Sequence, residues 1–254
     1  MPAPYDLFDY QAYWLSRIYE DRAEKIALNK FFKKTGQVRN LIDIGGGFGR
    51  LTSTYFPIAS KITLTDPSEK NLLSAEKKFI NEEKIVFKKT GFPVLAFGDS
   101  SFDAAVMVRV IHHLNDSNET IKEVSRILKP NGFFILEFAN KIHFLARLKA
   151  IFKADFAFSK DLSTFEQRSK ESIDKKRIIF LNHHPKKILS DLKNNGFEIL
   201  EILSVSNFRS PIMKKAVPLK ILLFFENVCQ SLLSFIYFGP SVFILAKRTY
   251  KLDK

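Results

Sequence analysis

The hydrophobic and polar positions change period several times along the chain. From Tyr5 to Lys34, the residues Trp14, Ile18, Ile26, Phe31 and Phe32 recur at helical spacing between charges, and Thr35-Gly36 closes the run. One helix is expected there. Short apolar runs then alternate with amphipathic ones. Val38 to Ile44, Lys61 to Thr65, Ile85 to Lys88, Phe102 to Val108 and Phe133 to Phe138 read as buried strands. Between them, Phe48 to Phe56, Pro67 to Asn81 and Thr120 to Leu128 read as helices, with Ser68 capping the second and Asp116 or Ser117 the third. Lys129-Pro130-Asn131-Gly132 is a turn. Pro185 to Asn194 is a further helix stopped by Gly196, followed by strands at Phe197 to Val205 and Ser241 to Lys247. Such alternation implies an α/β protein with a parallel, doubly wound sheet and right-handed crossovers.

Two stretches break the alternation. Residues 141–180 are rich in Phe, Lys and Ala. Residues 211–238 put Ile221, Phe224, Phe225, Val228, Leu232 and Phe235 on one helical face and Lys220, Asn227, Gln230, Ser231 and Ser234 on the other. Glu226, Asn227 and Gln230 near the middle argue against a bilayer span. A helix lying in an interface, or a lid over an apolar pocket, is the expectation. The chain then reads as a single domain. Residues 1–36 form an N-terminal helical cap, residues 37–140, 181–210 and 241–248 the core, and residues 141–180 and 211–238 substrate or lid insertions.

Composition adds three things. With 254 residues and 46% hydrophobic content, a sizeable core can form. The net charge is +13, and residues 141–220 hold 17 Lys/Arg against 8 Asp/Glu. A surface that basic suits an anionic lipid, a nucleic acid or an acidic partner, or is simply solvated. Cys229 is the only cysteine, so no disulfide closes within the chain, and residues 1–20 lack the layout of a secretory signal. A cytoplasmic location is expected, with peripheral contact to an anionic membrane through residues 211–238 as one option.

The chemistry starts at LIDIGGGFGRL, residues 41–51. A glycine loop between a first strand and a helix lies at the carboxyl edge of such a sheet, where ligands bind. The dinucleotide fingerprint is G-x-G-x-x-G, but here the third glycine, Gly49, comes one position early and Arg50 takes its place. Asp43 precedes the loop. A carboxylate is a poor neighbour for pyrophosphate and a good one for a cation.

Asp43-Ile44-Gly45-Gly46-Gly47-Phe48-Gly49 resembles the first motif of class I S-adenosylmethionine-dependent methyltransferases, in the methyltransferase domain 11-like form. The resemblance continues in order through Asp66 at the end of the second strand, Ser101 to Val106, Ile111-His112-His113-Leu114 and Leu128 to Gly132, and covers roughly residues 38–140. It implies a Rossmann-like, seven-stranded, mainly parallel sheet with an antiparallel last strand. It implies S-adenosyl-L-methionine as cofactor, held by Asp43, Gly45, Gly46, Gly47 and Gly49, with Asp66 on the ribose hydroxyls and Pro67 beside it. The family's acid after the third strand is absent from Thr90-Gly91-Phe92-Pro93, so adenine would meet backbone N–H groups and Phe92. In the family an N-terminal helix often covers the cofactor, which brings in Tyr13 and Arg17. Arg109 would bind a carboxylate or form an ion pair.

His112 and His113 follow the fourth strand and titrate in the range of a general base. No third ligand stands near His183-His184, so no metal site is expected. Val108-Arg109-Val110 replaces the Asn/Asp-Pro-Pro-aromatic motif of many adenine and glutamine amino-group methyltransferases. The apolar, basic insertions favour a small apolar or lipid-like acceptor. RNA methylation stands second, suggested by charge. A non-catalytic lipid- or protein-binding protein with this fold, and a NAD-dependent oxidoreductase, are the remaining readings.

Overall fold

The computed structural model describes residues 10–168 and 178–249. Its sheet has seven strands: β1 (Val38–Ile44), β2 (Ala59–Asp66), β3 (Ile85–Lys89), β4 (Phe102–Met107), β5 (Leu128–Ala139), β6 (Phe197–Val205) and β7 (Ser241–Arg248). Their spatial order is β3-β2-β1-β4-β5-β7-β6. All neighbours pair in parallel except those of β7, which runs antiparallel to β5 (Ile135 opposite Leu245) and to β6 (Ile202 opposite Ile244). The order reverses between β1 and β4, so the carboxyl ends of these strands flank the crevice where doubly wound sheets take ligands.

Helices cover both faces. On one lie α2 (Ile18–Thr35) and α3 (Glu69–Lys78), which with Tyr55 pack Leu28, Phe31 and Leu72 against Leu41, Ile62 and Leu245. On the other lie α4 (Ser117–Ile127) and α6 (Pro185–Asn194), packing Ile121 and Leu192 against Ile42, Phe134 and Ile244. Strands buried on both faces are continuously apolar, which is why these runs stand out in the sequence.

Three expectations are corrected. The N-terminal helix is broken: α1 (Tyr10–Leu15) ends where the Ser16 hydroxyl turns back to Tyr13 O and Arg17 leaves helical geometry, with φ −120° and ψ 39°. Its expected start at Tyr5 lies outside the described residues. Phe48 to Phe56 contains only a 3-10 turn, Thr52–Tyr55. Gly49 at φ 74° holds the preceding chain out of a helix, and Thr-Ser-Thr-Tyr followed by Pro57 does not favour one. The Lys129–Gly132 turn is absorbed into β5, with a register shift between Phe102 and Ala104 and Asn131 at φ 65°.

Among the described residues, 141–180 supply α5 (Phe144–Phe152) and a short strand, Phe165–Glu166, which pairs with Leu181–Asn182. Residues 211–238 supply α7 (Pro211–Ala216) and α8 (Leu219–Leu232). Helix α8 packs along α2 and β6.

Candidate active site

Strands β1 and β2 end side by side, with Ile44 opposite Thr65. The loop after β1 folds back onto that end: the Gly46 N–H donates to Thr65 O at 2.9 Å and the Gly49 N–H to Gly46 O at 3.0 Å. Gly45 and Gly47 are required for different reasons. Gly45 has φ 67°, and a Cβ there would lie 2.4 Å from Val110 Cγ2, so packing closes the position. Gly47 has φ 58°, and the nearest atom to a Cβ would be Asp66 Oδ2 at 3.9 Å. Its bare Cα faces room beside a carboxylate, where ligand atoms can approach the backbone.

Asp66 closes β2 and is buried. Its Oδ2 accepts from the Gly47 N–H at 3.0 Å, and its Oδ1 from the Ser68 N–H at 2.8 Å and Asn71 Nδ2 at 3.3 Å. One carboxylate thereby ties the glycine loop to the first turn of α3, which Ser68 caps as expected. Pro67 is half-buried, and a Cβ on Gly91 would lie 3.4 Å from its Cβ. The segment of Gly91 and Phe92 therefore borders the same edge. Phe92 itself packs against the core under α4.

Asp43 lies beneath the loop. A Cβ on Gly46 would come 2.7 Å from Asp43 Oδ2, which accepts from Thr52 Oγ1 at 3.2 Å. The residue is 4% exposed, and burial, outweighing the Thr52 bond, pushes its carboxyl up to about 7. A carboxylate so costly to ionise gains from a nearby cation.

Behind the loop, two arginines converge on Glu24. Arg109 Nε and Nη2 donate to Glu24 Oε1 at 2.8 and 2.6 Å, and Arg50 donates to Glu24 Oε2 and, at 2.7 Å, to Asp21 Oδ1. Burial alone would raise the Glu24 carboxyl, but the Arg109 and Arg50 guanidinium groups hold it below its ordinary value. Arg109 sits at φ 65°, and its N–H donates to Glu137 Oε2 at 2.8 Å; Ser241 Oγ also donates to Glu137. Of the two roles expected for Arg109, the ion pair is present. Trp14 covers this group, with the Arg50 guanidinium 3.6 Å from its ring centroid and that of Arg109 at 5.6 Å. Tyr13 and Arg17 stack on each other at 4.1 Å.

Glu24, Glu137 and Trp14 are absent from the site residues expected from the sequence, where Trp14 figures only in the apolar face of the N-terminal helix. Two of them carry a signal there. Glu137 is a lone acid inside the apolar run FFILEFA, and Glu24 shares a helical stripe with Ala23, Ala27 and Leu28. Such an acid is buried with a partner.

His112 lies in the 3-10 turn Ile111–His113, its ring 4.1 Å from that of His113 and 4.4 Å from that of Phe180. It is buried, and its Nδ1 has no hydrogen-bond partner among the described residues. Burial, then His113 and Arg109, lower its pKa well below the ordinary imidazole value. His113 Nδ1 meets Ile179 O at 2.6 Å, and burial lowers its pKa as well. The returning end of residues 141–180 thus covers both imidazoles. His184 caps α6, accepting from the Lys186 N–H at 3.1 Å. Among the described residues, no three His, Cys, Asp or Glu side chains come together to hold a metal ion.

Residues 42–136 match the family model described as "Methyltransferase domain". The ubiquinone biosynthesis O-methyltransferase of Pelagibacter ubique is 29% identical over 101 residues, 40% of this chain and 42% of that protein. The ubiquinone/menaquinone biosynthesis C-methyltransferase UbiE of Rickettsia bellii is 29% identical over 147 residues, 53% of this chain and 56% of that protein. The chain thus spans about half the length of the curated relatives it matches. A crystal structure of an S-adenosylmethionine dependent methyltransferase from Mesorhizobium loti superposes with a TM-score of 0.60 at 19% identity, over 89% of this chain and 98% of that one. The matched segment begins inside β1 and ends inside β5, so residues 42–136 form a methyltransferase domain, carried on the sheet of the class I S-adenosylmethionine-dependent methyltransferase fold.

Proposed function

We propose that the protein transfers a methyl group from S-adenosylmethionine to a small, apolar, lipid-like acceptor. The observation that carries the cofactor reading is Asp43, a buried acid directly beneath the glycine loop, its Oδ2 2.7 Å from where a Cβ on Gly46 would stand. The residues fit the cofactor: open room at Gly47 admits close approach, Asp66 offers two acceptor oxygens to ribose hydroxyls, and Asp43 gains from positive charge above it. The bound cofactor would supply an electrophilic methyl group on a sulfonium.

The chain's own contribution is positioning and exclusion of water. Glu24 keeps Arg50 and Arg109 in place, and Trp14 covers them. We assign to Pro67 and Phe92 the border of the adenine, and to Tyr13 and Arg17 the N-terminal cover. A hydroxyl acceptor also sheds a proton. His113 is our candidate to accept it, with His112 packed behind; burial keeps both rings neutral at pH 7. The lipid-like acceptor is supported by relatives named for ubiquinone and menaquinone biosynthesis and by the Phe- and Leu-rich segments after β5 and β6.

The test is calorimetric titration with S-adenosylmethionine, followed by transfer of its labelled methyl group to phenolic and prenylated acceptors. The wild-type chain should bind the donor. Asp66→Ala should weaken that binding at least tenfold while the folded spectrum persists. His113→Asn should leave donor affinity intact and lower turnover by roughly a hundredfold. Donor affinity unchanged in Asp66→Ala would remove Asp66 from the site.

A further inference from the structure

Helix α8 buries Leu222, Glu226 and Gln230. Glu226 lies inside, where Tyr19 OH donates to it at 2.6 Å, the Ser206 N–H at 2.8 Å, the Asn207 N–H at 3.0 Å and Gln230 Nε2 at 3.2 Å. Gln230 Nε2 also donates to Ala23 O at 2.9 Å. These bonds fix the rotation of the helix about its axis. The opposite side therefore faces outward, and it carries Phe224, Phe225 and Leu232 at 65%, 51% and 60% exposure. At the following turn Phe235 is 79% exposed. That turn meets α5: the Phe144 N–H donates to Phe238 O, and the two rings stack at 4.8 Å. Helix α5 adds Ile151 and Phe152, also exposed.

Cations flank these apolar rows. A groove of about 370 Å³ between α2 and α8 is lined by Lys30, Lys33 and Lys220, with Phe224 at its side. The one acid of α8, Glu226, is internal. Along α5 and just beyond it come Arg147, Lys149 and Lys153 before the first acid, Asp155.

The pattern excludes two occupants and fits a third. No helix among the described residues is long and apolar enough to cross a membrane. A helix meant for water would turn its phenylalanines inward. Apolar side chains entering an acyl boundary, with lysines at the level of phosphate headgroups, account for both features. We propose that α8, the turn at Phe235 and α5 dock the chain peripherally on an anionic lipid bilayer, with Lys33 and Lys220 at the headgroups. Docking needs no methyl transfer, so it stands or falls apart from the proposed function.

The experiment is flotation of the purified chain with vesicles of phosphatidylcholine alone and of phosphatidylcholine mixed with phosphatidylglycerol. The chain should float with the mixed vesicles at low salt and much less with the neutral ones. Phe224→Ser combined with Phe225→Ser should lower the partition coefficient at least tenfold. Lys33→Ala and Lys220→Ala should each lower it about fivefold on mixed vesicles, and less as salt rises. Unchanged melting midpoints and donor affinity would show that these variants fold. No flotation with mixed vesicles at low salt would overturn the proposal, as would flotation indifferent to the phenylalanine substitutions. A dimer in sedimentation that those substitutions break, without vesicle binding, would assign the face to a second copy instead.

Discussion

At the scale of single residues, the donor binding proposed for Asp43 stands against stability. Its carboxyl is raised by burial from an ordinary carboxylate value to about 7 in the folded chain. A group raised on folding binds more protons folded than unfolded. Its contribution to stability is fully present below the unfolded pKa, near 4, and is lost as pH rises toward 7. At pH 8 the ionised form costs on the order of 4 kcal/mol. Asp43→Asn, nearly isosteric and uncharged, should therefore raise the melting temperature by several degrees at pH 8 and by almost nothing at pH 4. The same substitution should weaken S-adenosylmethionine binding at pH 8. In the wild type, donor affinity should climb with pH and level off above about 7, and the variant should lack that climb. Equal melting temperatures at pH 8 would mean that the carboxylate is not desolvated. Asp43 and Asp66 are legible in the sequence because each ends an apolar run, one of them before four glycines. Arg109 is legible only as a choice between two roles, since its partner Glu24 lies 85 residues away.

At the scale of elements, periodicity identifies faces but not their direction. The pattern of 221–235 sets Phe224, Phe225 and Leu232 on one face, and these are exposed, whereas of the polar residues Glu226 and Gln230 point inward and Asn227 and Ser231 stay exposed. What decides it is tertiary: Tyr19 on α2 and the Ser206–Asn207 backbone offer donors that a carboxylate can satisfy. Pattern alone cannot reveal those partners, which come from distant parts of the chain. The inversion has a direct consequence for stability. Glu226→Ala strands several buried donors and should cost about 3–5 kcal/mol in urea unfolding. Phe224→Ser on the exposed side should stay within about 0.5 kcal/mol. The reverse ranking would mean that α8 packs by its phenylalanines. The failed helix at 48–56 has the opposite origin. There the local chemistry of Gly49 and a Thr-Ser-Thr run, already visible in the sequence, outweighs the apolar spacing.

At the scale of the whole molecule, alternation of strands and helices predicts a parallel sheet, whereas the antiparallel finish follows from the family resemblance. The reason is that β7 returns after α7 and α8, and its direction depends on where those helices leave the chain. Charge is also a whole-molecule property, and the net +13 invites two kinds of polyanion. It does not bear on the glycine loop in the same way. Asp43 and Asp66 are buried, so their interaction with a ligand is screened far less than that of an exposed lysine. S-adenosylmethionine affinity should therefore change by less than about threefold between 50 and 200 mM salt. Contact with RNA through exposed Lys and Arg should instead lose orders of magnitude over that interval, with a slope that counts the released counterions. Titrating donor and RNA across the same salt series separates a site from a surface. A donor affinity that collapses with salt would place the cofactor contacts on the exposed cations and take Asp43 out of the site. An RNA affinity that survives the salt series would give RNA methylation the structural support that charge alone does not.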